Sequence, residues 1–147
     1  MNWKRISLAA VVAWLVVTIY GIALHTMVLG EEFAKYPEVF RSPGAAPITV
    51  PLTLAGRLLA MFALAYMYAK GYEGGSGIRE GLRFGLLLAL FFFGFVSFGI
   101  FGTFNIHRRT AVLGSVISFV QMIIVGGVIG AVYKPAARPK ADVDSRA

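Results

Sequence analysis

The segment ISLAAVVAWLVVTIYGIALHTMVL, residues 6–29, decides the fold, because it contains no Asp, Glu, Lys or Arg. About 20 consecutive apolar residues are enough for a helix to cross the hydrocarbon core of a bilayer. Three more apolar segments follow, and the sequence predicts transmembrane helices at 6–29, 52–69, 84–106 and 111–132. We therefore predict an all-α, four-helix transmembrane bundle over residues 1–134, with a disordered tail at 135–147.

The composition also favours a membrane protein. The 147 residues are 58% hydrophobic and 14% charged, and the mean hydropathy is +0.75. Soluble domains contain about 25% charged residues. The net charge of +7 comes from basic residues at the ends of the apolar segments, so we expect contact with anionic lipid and no nucleic-acid partner. Without cysteine, the chain has no disulfides and no thiolate chemistry.

The distribution of basic residues predicts the orientation, since Lys and Arg are enriched on the cytoplasmic side. With both termini in the cytoplasm, that side holds most of them: Lys4, Arg5, Lys70, Arg79, Arg83, Lys134, Arg138, Lys140 and Arg146. Arg108 and Arg109 then lie outside and oppose the rule, which leaves the side of the 107–110 connection open. The stretch 71–81, GYEGGSGIREG, is interpreted as a flexible turn between the second and third helices.

Small residues within the spans are typical of helix–helix contacts in membranes. The candidates for such packing are Gly21, Gly56, Gly99, Gly102, Gly126 and Gly130. Gly126 and Gly130 form a GxxxG pair. Such glycine faces pack helices within one chain or between copies, and we favour assembly through them of a homo-oligomer or a larger membrane complex. The two halves also share short helix-end motifs, which a tandem duplication of a helical hairpin and chance explain equally well.

Three side chains near the predicted outer face are candidate ligand contacts. His25 and His107 end the first and third spans, where two imidazoles could ligate a haem iron or hold a quinone, or could only cap helices. Arg57 is expected within two turns of the outer end of the second helix. It either extends to the lipid headgroups or pairs with Glu31, Glu32 or an anionic ligand.

Two further polar residues, Asn105 and Gln121, either form interhelical hydrogen bonds or line a pore in a channel or carrier. The acidic residues are all expected in loops, turns or the tail, which argues against a proton-coupled multidrug transporter. No nucleotide-binding or catalytic motif occurs. We therefore favour a non-enzymatic accessory or small-ligand- or lipid-binding protein, with a redox protein and a channel as alternatives.

Four short phrases carry a resemblance: MNWKR at 1–5, LHTMVLGEEF at 24–33, AYMYAKG at 65–71 and GIREGLRFG at 77–85. With these phrases the chain resembles small uncharacterised four-helix membrane proteins of bacteria, which implies the bacterial inner membrane and no particular site. FGTFN at 101–105 resembles a segment of small fluoride channels, but the glycine-rich arginine motif of that family is missing from helix one.

Overall fold

The computed structural model describes residues 2–41 and 46–133, which form four long helices. Helix α1 is Trp3–Ala34, α2 is Ala46–Gly71, α3 is Gly77–Thr103 and α4 is Arg108–Val132. All four are long and apolar enough to cross a membrane. The predicted all-α four-helix bundle is confirmed, and the chain is a multi-pass membrane protein.

All four helices begin earlier than the sequence predicted, and the difference is largest for α2 and α3. Helix α2 starts at Ala46 and contains Pro51 in its interior, whereas the prediction used proline as a start signal and began at residue 52. Helix α3 starts at Gly77, so residues 77–81 of the predicted glycine-rich turn are helical. The connection is only residues 72–76. Residues 134–147 lie outside the described residues, and the disordered tail stays a prediction.

Helix α1 lies at the centre and packs against both α2 and α4. Small side chains on its buried face, among them Ala9, Ala10 and Ala13, allow the close approach. A side-chain hydrogen bond fixes each contact: the Trp14 indole donates to the carbonyl of Leu54 on α2 at 3.0 Å, and the Tyr20 hydroxyl to the carbonyl of Ile117 on α4 at 3.1 Å. Helix α3 packs chiefly on α4. The main helix–helix contacts therefore run from α2 to α1, from α1 to α4, and from α4 to α3.

The contact between α3 and α4 is made by glycine backbones. Gly77, Gly81 and Gly85 recur at intervals of four on α3 and face Gly126 and Gly130 on α4. A Cβ atom added at Gly126 would lie 2.5 Å from the Cα of Gly85, and one at Gly130 would lie 2.8 Å from the Cα of Gly81. The GxxxG pair thus packs two helices of one chain, which was one of the two predicted alternatives, and its glycines are not free to form the interface between copies that we favoured.

A π turn at Phe93–Ser97 follows the glycine contact, whose last member on α3 is Gly85. In a regular α-helix Gly99 would lie above Gly81, because 18 residues make about five turns. A π turn contains an extra residue and rotates the remainder of the helix about its axis. Nothing in the described structure lies within 4 Å of a Cβ built on Gly99 or Gly102, and the same holds for Gly56 on α2, so these three glycines do not pack against another helix.

Aromatic residues join the bundle at its inner end, which is the end that holds the 72–76 connection. The ring of Tyr68 on α2 is 5.6 Å from that of Phe84 on α3 and 5.9 Å from that of Tyr133, which directly succeeds α4. The Tyr68 hydroxyl donates to the carbonyl of Gly77 at 2.9 Å. The two hairpins, α1–α2 and α3–α4, are therefore linked at this end by side chains as well as by the connection.

Replacing Gly126 by leucine should destabilise the bundle strongly, because the new side chain would overlap with the backbone of α3 and not with a movable side chain. We expect a loss of about 3 kcal/mol, the upper end of overpacking costs. Gly114→Leu, on the same helix, is the matched control and should change stability by less than about 0.5 kcal/mol, since nothing lies within 4 Å of a Cβ built there. Thermal unfolding in detergent, followed by circular dichroism, measures both, and equal stability of the two variants would contradict the assigned contact.

Candidate anion site at Arg57

Arg57 lies well inside α2. The helix has 26 residues and begins at Ala46, so Arg57 is about 17 Å along the axis from the start. The sequence had placed it within two turns of the end, because the predicted helix began six residues too late. An arginine side chain cannot extend past three turns of its own helix, so the guanidinium belongs to the bundle and not to the helix end.

The guanidinium of Arg57 lies on the backbone of α1 at Gly21. A Cβ atom built on Gly21 would be 3.1 Å from Nη1 and 3.6 Å from Cζ of Arg57. Gly21 itself is buried, and Arg57 is half-buried. The sequence predicted that Gly21 packs against another helix. The contact is real, but it is made by an arginine side chain and not by a second helix backbone.

The guanidinium has no hydrogen bond or ion pair within the described residues. Its planar group can donate up to five hydrogen bonds and matches the geometry of carboxylate and phosphate. An unpaired charge inside a membrane protein is costly and marks a ligand or ion site by default. Arg57 is therefore the candidate anion-binding group of this chain.

Thr18 adds an unpaired hydroxyl to the same side of α1, one turn from Gly21. Its Oγ1 is buried and has no hydrogen-bond partner among the described residues. Threonine in a helix usually donates to the carbonyl three or four residues back, as Thr26 does to Ile22 at 2.9 Å and Thr53 does to Thr49 at 2.8 Å. The spacing of Thr18 from Trp14 and Gly21 predicts that it faces the bundle, but it was not among the predicted ligand contacts.

Glu32 does not pair with Arg57, contrary to one of the predicted alternatives. Its carboxylate accepts hydrogen bonds from Thr110 on α4 at 2.9 Å and from Lys35 at 2.8 Å, with Arg109 Nε 3.8 Å away. Glu32 is buried and helical, so the expectation that all acidic residues lie in loops, turns or the tail is wrong here. This Glu32–Thr110 clamp joins the C-terminal end of α1 to the first turn of α4.

His107 is the N-cap of helix α4. Its Nδ1 accepts a hydrogen bond from the backbone N–H of Arg109 at 3.3 Å, and its own backbone N–H donates to the Tyr36 hydroxyl at 2.8 Å. The imidazole is exposed. His25 begins the π turn His25–Leu29 of α1, and its side chain lies outside the described part of the structure. No group of three metal-ligating side chains occurs among the described residues, and the haem or quinone site stays a prediction.

Asn105 and Gln121 lie in different environments and are not brought together with Arg57 by any contact among the described residues. Asn105 is exposed in the connection between α3 and α4. Gln121 is half-buried on α4, one turn after Ile117, whose carbonyl accepts from Tyr20. Neither amide forms the predicted interhelical hydrogen bond within residues 2–41 and 46–133.

Comparison with known proteins does not assign the chain to a family. No protein-family model matches the chain, and no curated protein and no solved structure matches it either. A function must therefore be inferred from the site alone.

Thr110→Val should lower the melting temperature in detergent, because it removes the hydroxyl that the buried Glu32 carboxylate accepts from while keeping the side-chain shape. In a Glu32→Gln background the same substitution should cost less, since the charged acceptor is already gone. Thr53→Val is the control, because its hydroxyl bonds only within its own exposed helical turn. Equal effects of Thr110→Val in the two backgrounds would argue against the clamp.

Proposed function

We propose that this protein is a non-enzymatic membrane protein that binds an anionic small molecule or lipid at Arg57. The observation that carries the proposal is the guanidinium that lies on Gly21 inside the bundle without a carboxylate partner in the described chain. A ligand carboxylate or phosphate would supply the missing charge and several hydrogen bonds. The apolar surroundings favour a ligand whose remaining part is hydrophobic.

Two features of α1 support this assignment. Gly21 leaves room for a flat group over the helix backbone, and any larger residue there would displace the guanidinium. The Trp14–Leu54 hydrogen bond holds α1 and α2 together on the same side, so the position of Arg57 does not depend on the ligand. A site formed in advance loses less free energy to ordering when its ligand binds.

The test is a comparison of ligands retained by the purified protein. Arg57→Gln should lower the retained amount of the anionic ligand about tenfold, because a charge-assisted hydrogen bond contributes roughly 1.5–3 kcal/mol. Arg57→Lys should lower it less, since lysine keeps the charge but loses the planar donor pair. Solvent extraction coupled to mass spectrometry identifies and quantifies the bound molecules.

Lys70→Gln is the matched control, because it removes the same charge from α2 at the inner end, where Lys70 lies 5.7 Å from the Tyr66 ring. It should leave the retained ligand unchanged. If Arg57→Gln retains as much anionic ligand as the wild type at equal melting temperature, the proposed site is wrong.

We also propose that the protein resides in the inner membrane of a bacterium with both termini in the cytoplasm. The excess of basic residues on the side of the 72–76 connection supports this orientation. The resemblance to small bacterial four-helix membrane proteins is the basis for the bacterial assignment. A homo-oligomer remains part of the proposal, and Gly56, Gly99 and Gly102 are the predicted packing glycines that are still open to a second copy.

The orientation is testable with single cysteines, because the chain has none of its own. Glu38→Cys should react with a membrane-impermeant maleimide on intact spheroplasts, and Glu73→Cys should react only after the membrane is permeabilised. Both positions are exposed in the structure. The reverse labelling pattern would invert the topology.

A further inference from the structure

A groove runs between the outer halves of α3 and α4. It has a volume of about 300 Å³ and begins at the π turn Phe93–Ser97, beyond the glycine contact. The ring of Phe93 closes its inner end, since it lies 6.0 Å from the ring of Phe119 on α4. The groove thus results from close packing in one half of the α3–α4 hairpin and the loss of that packing in the other half.

The lining of the groove is almost entirely apolar. Ser115 is one of the few polar residues in it, and its hydroxyl donates to the carbonyl of Ala111 at 2.7 Å, so it offers no free donor to a ligand. The walls include Phe98, Phe101, Val112 and Val116, with Arg108 at one end. Ser97, in the π turn, also lines the groove. A surface that is apolar over most of its length fits a hydrocarbon chain better than a polar molecule.

The outer mouth of the groove carries a positive charge. Arg108 is the first residue of α4, lines the groove, and forms no hydrogen bond or ion pair with the part of the chain that the structure describes. Its neighbour Arg109 is directed to Glu32, at 3.8 Å. The start of a helix also carries partial positive charge, which adds to the attraction for an anion at this end.

We propose that one anionic phospholipid binds here, with an acyl chain in the groove and its phosphate at Arg108. The lipid comes from the leaflet that meets the connection at residues 104–107. Charge complementarity selects this occupant: the groove is lined mainly by apolar side chains, with two uncharged serines, and Arg108 is the one charged residue in its lining, at the end where headgroups lie. This binding also accounts for the position of Arg108, which lies on the side of the membrane where the positive-inside rule predicts few basic residues. This site uses none of the residues of the Arg57 site.

The experiment is native mass spectrometry of the protein transferred into nanodiscs of phosphatidylglycerol or phosphatidylcholine and released with mild detergent. The wild type should retain one phosphatidylglycerol in preference to phosphatidylcholine. Arg108→Gln should lower retained phosphatidylglycerol about tenfold, the value expected for one charge-assisted contact. Arg109→Gln, next in sequence and directed to Glu32, is the matched control and should change it less than about twofold.

A second variant tests the acyl-chain part. Val112→Trp should fill the groove and reduce retention of both lipids, and Val112 is exposed enough to accept the larger side chain without disturbing the bundle. Equal melting temperatures show that each variant is folded. Arg57→Gln can release only the ligand bound at Arg57, so in that background Arg108→Gln should still lower retained phosphatidylglycerol about tenfold, which separates this result from that of the proposed function.

Four outcomes would overturn the proposal. Equal retention of the two lipids by the wild type would show that Arg108 does not select the headgroup. Equal losses in Arg108→Gln and Arg109→Gln would show only a general attraction between positive charge and anionic lipid. Full retention of phosphatidylglycerol by Val112→Trp shows that no chain enters the groove. A dimer that Val112→Trp abolishes would assign the groove to a second copy of the chain.

Discussion

The approach of two glycine backbones, α3 to α4, is the constraint on which the rest of the arrangement depends. In a lipid environment apolar side chains gain little by leaving lipid for protein, so helices associate where close backbone contact is possible. Gly77, Gly81 and Gly85 provide that contact against Gly126 and Gly130. Helix α4 presents its other side to α1, and α1 in turn carries α2 with Arg57. The position of the arginine thus depends on a chain of contacts that begins with residues lacking a side chain.

The number, type and order of the helices could be predicted from the sequence because hydrocarbon thickness imposes a length that apolar segments reveal directly. The residues at which the helices begin could not be predicted in this way. Pro47, Pro51 and the glycines at 74–81 are turn signals in soluble proteins, but in a membrane helix Pro51 is tolerated and Gly77 and Gly81 are contact residues. The early start of α2 is what moved Arg57 from the predicted helix end into the bundle.

The candidate site was predictable only in part. A single arginine in an apolar segment is visible in any sequence, and so is a glycine one helix away. Their contact is not, because it requires the register between α1 and α2. Glu32 was missed for a related reason: its partner Thr110 is 78 residues away in sequence and has no distinctive pattern around it. Polar residues that lie at the ends of spans look like loop residues until a neighbouring helix is placed beside them.

The π turn in α3 rotates the second half of the helix relative to the first, so that the two halves face different directions. The direction of the inner half is set by its contact with α4, whereas the direction of Phe98–Thr103 is set by the number of residues in the turn. The first half must therefore satisfy a protein surface, and the second is free to satisfy lipid. This division explains how a single span can carry small residues that touch another backbone and, a few residues later, phenylalanines such as Phe95 and Phe98 that are largely exposed.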